Sequence, residues 1–474
     1  MTTTQTAKLD LEAHGDPRRW AALTVALLAV FMDLVDITVV VIATPEIMRD
    51  LGTGYSSVQW VMAAYSLALG LLLITGGRLG DIFGRKRMFL IGVATFTAAS
   101  IASGLAPSVG VLVAARVVQG AAAAMMVPQV LAMIQVGFPH HERPKAFGLY
   151  GAINGLAAAA APIVGGLLVG YDVLGLGWRS VFWLNVPIGA LALIGGSALM
   201  RETRADHRPR LDVPGVVLVT VALLLLLYPL IQGPDVEWPA WTWSMMAASL
   251  IAFAAFARTQ VRRERLGFPL VPLSLFRRRS FTTGIIASFV MFSAVAAFFL
   301  VLTITLQTGH GFSALKVGLI FMAWPVGLAA TSGLAVRLVR TVGRRLVSVG
   351  ALLLTAAMGG LILTIGLAGA DLGAWHLVPP LLVGGFGFGL IAPVLVDIVL
   401  SAVPARDAGA ASGVTNTAIQ VSSAAGIATV GALYSSFAAR GFDVAAERSL
   451  WYAVGAFGLG LVLSFGLPRA AREQ

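Results

Sequence analysis

The chain has 474 residues, of which 58% are hydrophobic and only 12% are charged, so its polar residues are too few to cover a soluble globule of this size. Its net charge of +11 does not indicate nucleic-acid binding, because the basic residues lie scattered in short segments between apolar runs. The absence of cysteine excludes disulfides, a thiolate nucleophile and cysteine metal sites. The composition predicts an integral membrane protein.

Apolar runs that are long enough to cross a bilayer as helices recur along the sequence. They lack the period-two alternation of a membrane β-barrel, and the first run is too long for a signal-peptide core. We therefore predict an all-α protein with fourteen transmembrane helices, at residues 20–43, 57–79, 88–106, 108–136, 146–170, 178–200, 212–231, 240–257, 281–306, 313–336, 345–368, 375–403, 407–437 and 449–467.

The basic residues predict the orientation of these spans. Of the 33 lysines and arginines, 27 fall in the two tails and the even-numbered connections, and five fall in the odd-numbered connections. The remaining one, Arg116, lies within span 4. By the positive-inside rule, both termini are predicted to be cytoplasmic.

An internal repeat divides the chain. Five residues of spans 4 and 5 recur 265 positions later in spans 12 and 13: Gly120, Pro128, Pro139, Ala146 and Gly148 match Gly385, Pro393, Pro404, Ala411 and Gly413. We predict a tail at 1–19, a six-helix bundle at 20–200, inserted spans 7 and 8 at 201–276, a second six-helix bundle at 277–468 and a tail at 469–474. Duplicated bundles of this type bind substrate between the halves and rock one half against the other.

Span 1 carries two carboxylates, Asp33 and Asp36, and each costs about 2.5–3.5 kcal/mol at the bilayer centre. At ~1.5 Å per residue, Asp33, Asp36 and Arg116 lie roughly 15, 10 and 12 Å below the outer ends of their spans, so an acid and the arginine can pair. A nearby cation favours the ionised carboxylate, and burial without it favours the protonated form. We predict proton exchange at this site; the alternative is an acid satisfied structurally by a polar neighbour.

Two further features indicate gating. The segment GGRLGDIFGRKR between spans 2 and 3 places an acid, a turn and three bases together, which suits either a gate or a solvated basic loop. Small residues in span 5 permit close helix contact, and Pro162 bends or loosens that helix. The candidate gating residues are Gly77, Asp81, Gly84, Arg85, Lys86, Pro162 and Arg406.

Polar, aromatic and methionine side chains within the spans are the candidate substrate contacts, although most residues of these types pack in helix interiors. An adaptable wall of this kind suits bulky amphipathic molecules. The candidates are Gln59, Tyr65, Met126, Gln129, Asn154, Phe292, Phe299, Trp324, Asn416 and Gln420. Asp397 in span 12 is either a second ionisable site or a residue near the cytoplasmic end.

Five ordered motifs resemble the major facilitator superfamily, and within it the fourteen-helix drug:proton antiporter branch. They are GGRLGDIFGRKR between spans 2 and 3, Arg116 with Gln119 and Gly120 in span 4, Pro162 to Gly166 in span 5, Asp36 with Thr38 and Pro45 in span 1, and WRSVFWLNVPIG in span 6.

The resemblance implies proton-coupled export of drugs, antibiotics or other amphipathic molecules across the bacterial cytoplasmic membrane by alternating access. It favours Asp36 as the proton carrier. Asp33 lies three residues earlier on nearly the same helical face, so it can titrate together with Asp36 and act as its modulator. The resemblance also implies that Asp81 locks the cytoplasmic side by facing the start of span 13 near Arg406.

The chain departs from the family pattern at several positions. Val41 stands where relatives commonly have Asn, and Ala157 and Ala161 replace two glycines of the span 5 motif. Span 13 carries no acid after Asp407 at its first position, whereas some relatives that export cationic drugs have one within this span, which argues against a preference for dications.

The alternatives are proton-coupled uptake, transport of one specific metabolite, and an intramembrane enzyme. The sequence contains no HExxH motif, no nucleophile-elbow pattern and no lysine in a phosphate-loop setting, so neither an enzyme nor an ATP-driven pump is indicated. We expect a monomer in the lipid bilayer that is driven by the proton gradient and binds an amphipathic small molecule and protons, with no cofactor, metal or nucleic acid.

Overall fold

A computed structural model describes residues 18–139, 141–172, 175–204, 211–266, 269–401, 403 and 408–467. Its α-helices are α1 Arg19–Asp50, α2 Tyr55–Phe83, α3 Arg85–Gly104, α4 Val109–Gly137, α5 Arg143–Gly170, α6 Ser180–Trp183, α7 Asn185–Leu199, α8 Val213–Gln232, α9 Ala240–Arg265, α10 Arg279–Ile304, α11 Ala314–Phe321, α12 Ala323–Val342, α13 Arg344–Ala368, α14 Ala374–Ser401, α15 Ala408–Ala438 and α16 Phe442–Ser464. A π-helical turn, Thr305–Gly309, follows α10, and 3₁₀ turns lie at Gly177–Arg179, Gly233–Val236, Leu273–Arg277 and Gly369–Asp371.

The helical membrane architecture is confirmed. Within the described ranges, thirteen helical segments are long and apolar enough to cross a membrane. The 23-residue α16 is not among them, and it carries Asp443, Glu447 and Arg448 in its first turns. Counting α16 gives the fourteen predicted spans.

Two predicted spans are interrupted, each near a proline. The helix α6 ends at Trp183, four residues before Pro187, and α11 ends at Phe321, four residues before Pro325. Proline lacks the backbone N–H that would bond the carbonyl four residues earlier, and its ring clashes with that carbonyl. The pairs α6–α7 and α11–α12 therefore form spans 6 and 10. The eighth span, predicted to end at 257, continues as α9 to Arg265, where basic residues in the last turn complement the helix dipole.

The two halves repeat one close helix contact. A Cβ atom on Gly120 of α4 would lie 2.3 Å from the backbone oxygen of Tyr65 on α2. Its repeat partner, Gly385 of α14, lies against the backbone of Trp324 on α12, where a Cβ would come within 2.2 Å of the carbonyl oxygen. Only glycine permits this approach. The helix α12 thus occupies in the second bundle the place of α2 in the first.

The helices have two ends, which we name by their loops. The basic end holds the loops after Phe83, Gly137, Leu199 and Arg265, and the far end holds the loops after Asp50, Gly104, Gly170 and Gln232. The sequence predicts that the basic end is cytoplasmic. The helices α2 and α15 run along each other between these ends, with Gln59 against Gly431 near the far end and Ile74 against Gly413 near the basic end.

The two bundles close on each other at the far end. Gln307 Nε2 donates a 2.9 Å hydrogen bond from the π-helical turn to the Ile42 carbonyl of α1. Gly318 of α11 lies so close to α5 that a Cβ would be 2.1 Å from the Pro162 oxygen. Toward the basic end of α5, Cβ atoms on three glycines would meet nothing within 4 Å: Gly148, Gly151 and Gly155. Within the described ranges, no other helix packs on these three positions of α5.

The inserted helix α8 lies against the α2–α15 seam, and α9 packs against α8. Apolar side chains of α8 form one buried cluster with those of α2 and α15: Leu223, Leu227 and Ile231 with Ala63, Leu67, Leu71, Ala424 and Ala428. At the far end, the Ser56 hydroxyl of α2 donates a hydrogen bond to Asp235, which follows α8. Because α8 contacts both bundles, the insert bridges the seam from outside.

Asp212 secures the basic end of the insert. Its fully buried carboxylate accepts hydrogen bonds from the Gly215 amide (2.9 Å), which caps α8, from Gln260 Nε2 (2.7 Å) on α9 and from the Leu270 amide (3.2 Å). It also forms a 3.0 Å ion pair with Arg263. One carboxylate thus joins α8, α9 and the segment that leads into the second bundle.

Replacing Asp212 with Ala should lower the thermal stability of the purified protein, because each buried donor left unsatisfied costs about 1–3 kcal/mol. Asp212→Asn should be intermediate, since the amide oxygen still caps α8. Thermal unfolding in detergent measures this effect. The control is Asp371→Ala, at an exposed position in a far-end turn. An Asp212→Ala protein as stable as this control would contradict the assigned role.

Candidate proton-coupling and substrate site

A buried ion pair lies at the centre of the first bundle. Asp36 on α1 is bonded to Arg116 on α4, and the two residues are 2% and 1% exposed. Asp36 also accepts hydrogen bonds from Gln119 Nε2 (3.0 Å) and Asn185 Nδ2 (2.7 Å). Spans 1 and 4 are thus joined by an ion pair, as the similar depths of their charged residues allowed. The pair consists of Asp36 and Arg116.

The guanidinium of Arg116 is satisfied by further groups. Its Nε donates to the Val61 carbonyl (3.2 Å), and Nη1 donates to Gln119 Oε1 (2.9 Å). Its carbon Cζ lies 4.2 Å from the centre of the Tyr65 ring, within cation–π range. A buried ion pair is favourable only when additional hydrogen bonds satisfy both partners, and this pair meets that condition.

Asn185 and Ser100 also belong to this network, and the sequence alone does not indicate a role for either. Asn185 is part of the span 6 motif, and the Ser100 hydroxyl on α3 accepts from Asn185 (3.0 Å) and from Gln119 (2.7 Å). A polar residue in an otherwise apolar span was the available signal for Asn185. The network therefore joins α1, α3, α4 and α7.

Asp33 has a different environment from Asp36. It is 5% exposed and accepts a hydrogen bond from the Tyr65 hydroxyl of α2. Within the part of the chain that the structure describes, this is its one side-chain donor. Tyr150 on α5 lies within electrostatic range of it. Two acids three residues apart thus differ sharply in how many donors they meet.

Several predicted substrate contacts make internal contacts. Gln129 Nε2 donates to the Gly76 carbonyl (2.9 Å) and so ties α4 to α2, and Asn154 Nδ2 donates to the Tyr150 carbonyl (2.7 Å). Others are placed as follows: Met126 is fully buried, Gln59 is buried against Gly431, Gln420 lies against Gly70 at the seam, and Asn416 is exposed on α15. Tyr65 belongs to the charged network described above.

The predicted aromatic contacts come together in the second bundle. Ring centroids of Phe299 and Trp324 are 5.5 Å apart, and Phe388, which the sequence did not single out, lies 5.8 Å from Trp324 and 5.3 Å from Phe292. Phe298 and Phe321 complete the cluster from inside. Trp324 is buried, whereas Phe292 and Phe299 are half-buried. We call Phe292, Phe298, Phe299, Phe321, Trp324 and Phe388 the aromatic cluster.

The candidate gate lies at the basic end. Asp81 Oδ1 accepts a 2.8 Å hydrogen bond from Arg85 Nη2, four residues later, and Lys86 Nζ donates to the Ser197 carbonyl (2.7 Å) of α7. Gly84 adopts φ 110° at the turn between α2 and α3, a conformation that favours glycine. Gly77 faces Pro128 of α4, and Arg406 lies outside the described residues.

Glu202, which the sequence did not single out, caps the helix that follows this gate. Its carboxylate accepts from the backbone amides of Lys86 (3.1 Å) and Arg87 (3.2 Å) in the first turn of α3. A negative charge is favoured at a helix N-terminus. The loop after α7 thereby holds the α2–α3 turn in place.

A second ion pair at the basic end joins α1 to the start of α5. Arg19 donates two hydrogen bonds to Glu142, at 2.7 and 2.8 Å. The Arg19 side chain holds the pKa of the Glu142 carboxyl below its usual range. Because this pKa is lowered on folding, the pair stabilises the fold above the ordinary pKa of glutamate, and the contribution is lost as pH falls through the lowered value.

The described residues contain no group of three histidine, aspartate or glutamate side chains that could hold a metal ion. The chemistry available at the site is therefore that of carboxylates, one guanidinium, amides and phenols, which can bind and release protons and polar groups.

Comparison with known proteins places this arrangement in context. The family model described as Major Facilitator Superfamily matches residues 26–427. The "Probable actinorhodin transporter" of Streptomyces coelicolor is 41% identical over 430 residues, covering 90% of this chain and 74% of that one. The "Tetracenomycin C resistance and export protein" of Streptomyces glaucescens is 36% identical over 435 residues, covering 88% and 76%.

Among solved structures, a POT family transporter in complex with 5-aminolevulinic acid superposes with a TM-score of 0.70, covering 94% of each chain. Its sequence identity is 13%, so this likeness concerns the fold.

The two acids should differ in their effect on stability. Asp36→Asn leaves the buried Arg116 without a counter-charge and should destabilise the protein by about 3–5 kcal/mol, the usual cost of breaking a buried ion pair. Asp33→Asn keeps an acceptor for Tyr65 and should have a much smaller effect. Thermal unfolding of both variants in detergent measures the difference. Equal losses of stability would show that Arg116 does not distinguish the two acids.

Proposed function

The chain belongs to the Major Facilitator Superfamily, and on this premise we propose that it exports amphipathic drugs or antibiotics across the bacterial cytoplasmic membrane in exchange for protons. It is a transporter and not an enzyme. The single observation that carries the proposal is the pair of buried carboxyls on α1, one of them paired with a buried arginine. Ionisable residues within membrane spans mark proton and substrate pathways.

The relatives support export as the direction. Two proteins that match most of this chain are named for the transport, resistance or export of actinorhodin and tetracenomycin C. Each proton that moves inward down a membrane potential releases ~2.3 kcal/mol per 100 mV. An antiporter uses this energy to move its substrate outward.

The division of residue types between the bundles supports an amphipathic substrate. The charged network lies in the first bundle, and the aromatic cluster lies in the second. A site with an apolar aromatic wall and few polar groups favours flat molecules with an apolar body and polar edges. We propose that Phe292 and Phe299, which are half-buried, contact the substrate.

The far-end closure supports an assignment of the conformational state. If the basic end is cytoplasmic, the bundles are closed outside, and the part of α5 without packed neighbours at its glycines lies inside, which supports an inward-open state. The partner of Asp81 in this state is Arg85. We propose that the outward-open state instead brings Asp81 to the start of α15 near Arg406, which locks the cytoplasmic side.

The remaining features of the proposal concern assembly and energy source. Both termini are cytoplasmic, the monomer is the transporting unit, and the proton gradient is the driving force without a cofactor. The bundles at 20–200 and 277–468 rock against each other, and the inserted segment at 201–276 stays with the α2–α15 seam that α8 covers.

Transport in proteoliposomes tests the direction and the coupling together. Protein whose cytoplasmic face points outward should accumulate tetracenomycin C inside the vesicles when the lumen is made acidic, and a protonophore should abolish this accumulation. The matched control is the double variant Asp33→Asn/Asp36→Asn. Accumulation that requires the opposite gradient would indicate proton-coupled uptake, and accumulation that is insensitive to the protonophore would refute proton coupling.

The aromatic cluster should determine affinity. Phe292→Leu keeps an apolar side chain but removes a ring, and one aromatic contact contributes about 0.5–1.5 kcal/mol beyond the buried area. The KM for tetracenomycin C should therefore rise by about two- to tenfold, with turnover little changed. Initial export rates in proteoliposomes measure both parameters. Phe465→Leu, at an exposed position after α16, is the control, and equal KM values for the two variants would remove Phe292 from the site.

A further inference from the structure

We propose that Asp33, held by Tyr65, is the carboxyl that gains and loses the transported proton, whereas Asp36 stays ionised throughout the cycle as the partner of Arg116. This inference deepens the proposed proton-coupled export and rests on it. It reverses the roles that the family motif implies for the two acids, because the motif favours Asp36 as the carrier. The contacts of each carboxyl carry the argument.

Protonation of Asp36 would disrupt its surroundings. Its oxygens accept from Arg116, Gln119 and Asn185, and a protonated carboxyl has less capacity to accept and adds a donor of its own. It would also leave the Arg116 cation buried without a counter-charge, which is strongly unfavourable. These contacts therefore favour the ionised form of Asp36.

Protonation of Asp33 requires only a local rearrangement. The Tyr65 hydroxyl donates to the ionised carboxylate, and the same hydroxyl can accept a hydrogen bond from the protonated acid, because a phenol oxygen is both donor and acceptor. Asp33 and Tyr65 can therefore keep a hydrogen bond between them in either protonation state. Asp33 can thus exchange a proton without disturbing the ion pair.

Tyr65 also links Asp33 to a helix that contacts the second bundle. Its hydroxyl meets Asp33, and its ring lies under the Arg116 guanidinium. It belongs to α2, the helix that runs along α15 of the other bundle, with Gly70 against Gln420 one turn further along. A displacement of α2 relative to α1, as α15 moves along α2, would change the contact between Tyr65 and Asp33. Alternating access would then alter the proton affinity of Asp33.

Few other groups can influence this titration. Among the residues that the structure describes, the titratable or charged groups near Asp33 are Asp36 on α1, Tyr65 on α2, Arg116 on α4 and Tyr150 on α5. Asp36 and Arg116 offset each other's charge, and the two tyrosines stay neutral near physiological pH. Asp33 is therefore the group in this cluster that is expected to change charge.

Infrared difference titration of the purified protein tests the assignment without any substrate. Lowering the pH toward neutral, above the range in which solvent-exposed carboxyls protonate, should produce the carbonyl stretching band of a protonated buried carboxyl group. This band should be lost in Asp33→Asn, kept in Asp36→Asn and shifted in frequency in Tyr65→Phe, which removes the hydrogen-bond partner of the acid. If Asp36→Asn fails to fold, the Asp33→Asn and Tyr65→Phe spectra still decide. A band that persists unchanged in Asp33→Asn overturns the proposal.

Transport supplies the second readout. Asp33→Asn should lose proton-driven accumulation of tetracenomycin C but keep exchange of labelled for unlabelled compound across vesicles without a proton gradient. Proton-driven accumulation at the wild-type rate in Asp33→Asn would also overturn the proposal. If the wild type itself shows no proton-driven accumulation, the proposed function fails, while the infrared titration still reports independently on which acid binds the proton.

Discussion

The buried ion pair between Asp36 and Arg116 is the constraint on which the first bundle depends. Two charges removed from water are tolerated only when their remaining hydrogen-bonding capacity is met, and here α2, α4 and α7 supply the partners. The small residues around the pair and the close contact at Gly120 follow from the need to bring α2 and α4 near α1. A charged centre thereby fixes the helix positions that lipid alone would not specify.

The two bundles carry different types of residue. The first bundle holds the buried ionisable groups and the second holds the aromatic cluster, so the substrate proposed to bind between them would have these two groups of residues on opposite sides. Close glycine contacts at the far end, such as that of Gly318 with α5, let the two surfaces meet there. The inserted helix α8 covers the α2–α15 seam from outside.

Much of the fold could be predicted from the sequence, because apolar runs identify spans and helix rise fixes depth. The same depth argument paired span 1 with span 4, but it could not choose between Asp33 and Asp36, which lie one turn apart on one face. The contacts of Asn185, Glu202 and Asp212 could not be predicted from the sequence for another reason. Their partners come from distant segments, and only the packing of helices shows which amide or guanidinium each of them meets.

In the proposed cycle, substrate and proton alternate at a site whose proton resides on Asp33. The most direct measurement adds tetracenomycin C to detergent-purified protein in weakly buffered solution and follows proton release with a pH indicator. The account predicts that the wild type and the Phe465→Leu control release protons on binding and that Asp33→Asn binds the compound without releasing any. Proton release from Asp33→Asn equal to that of the wild type would contradict it.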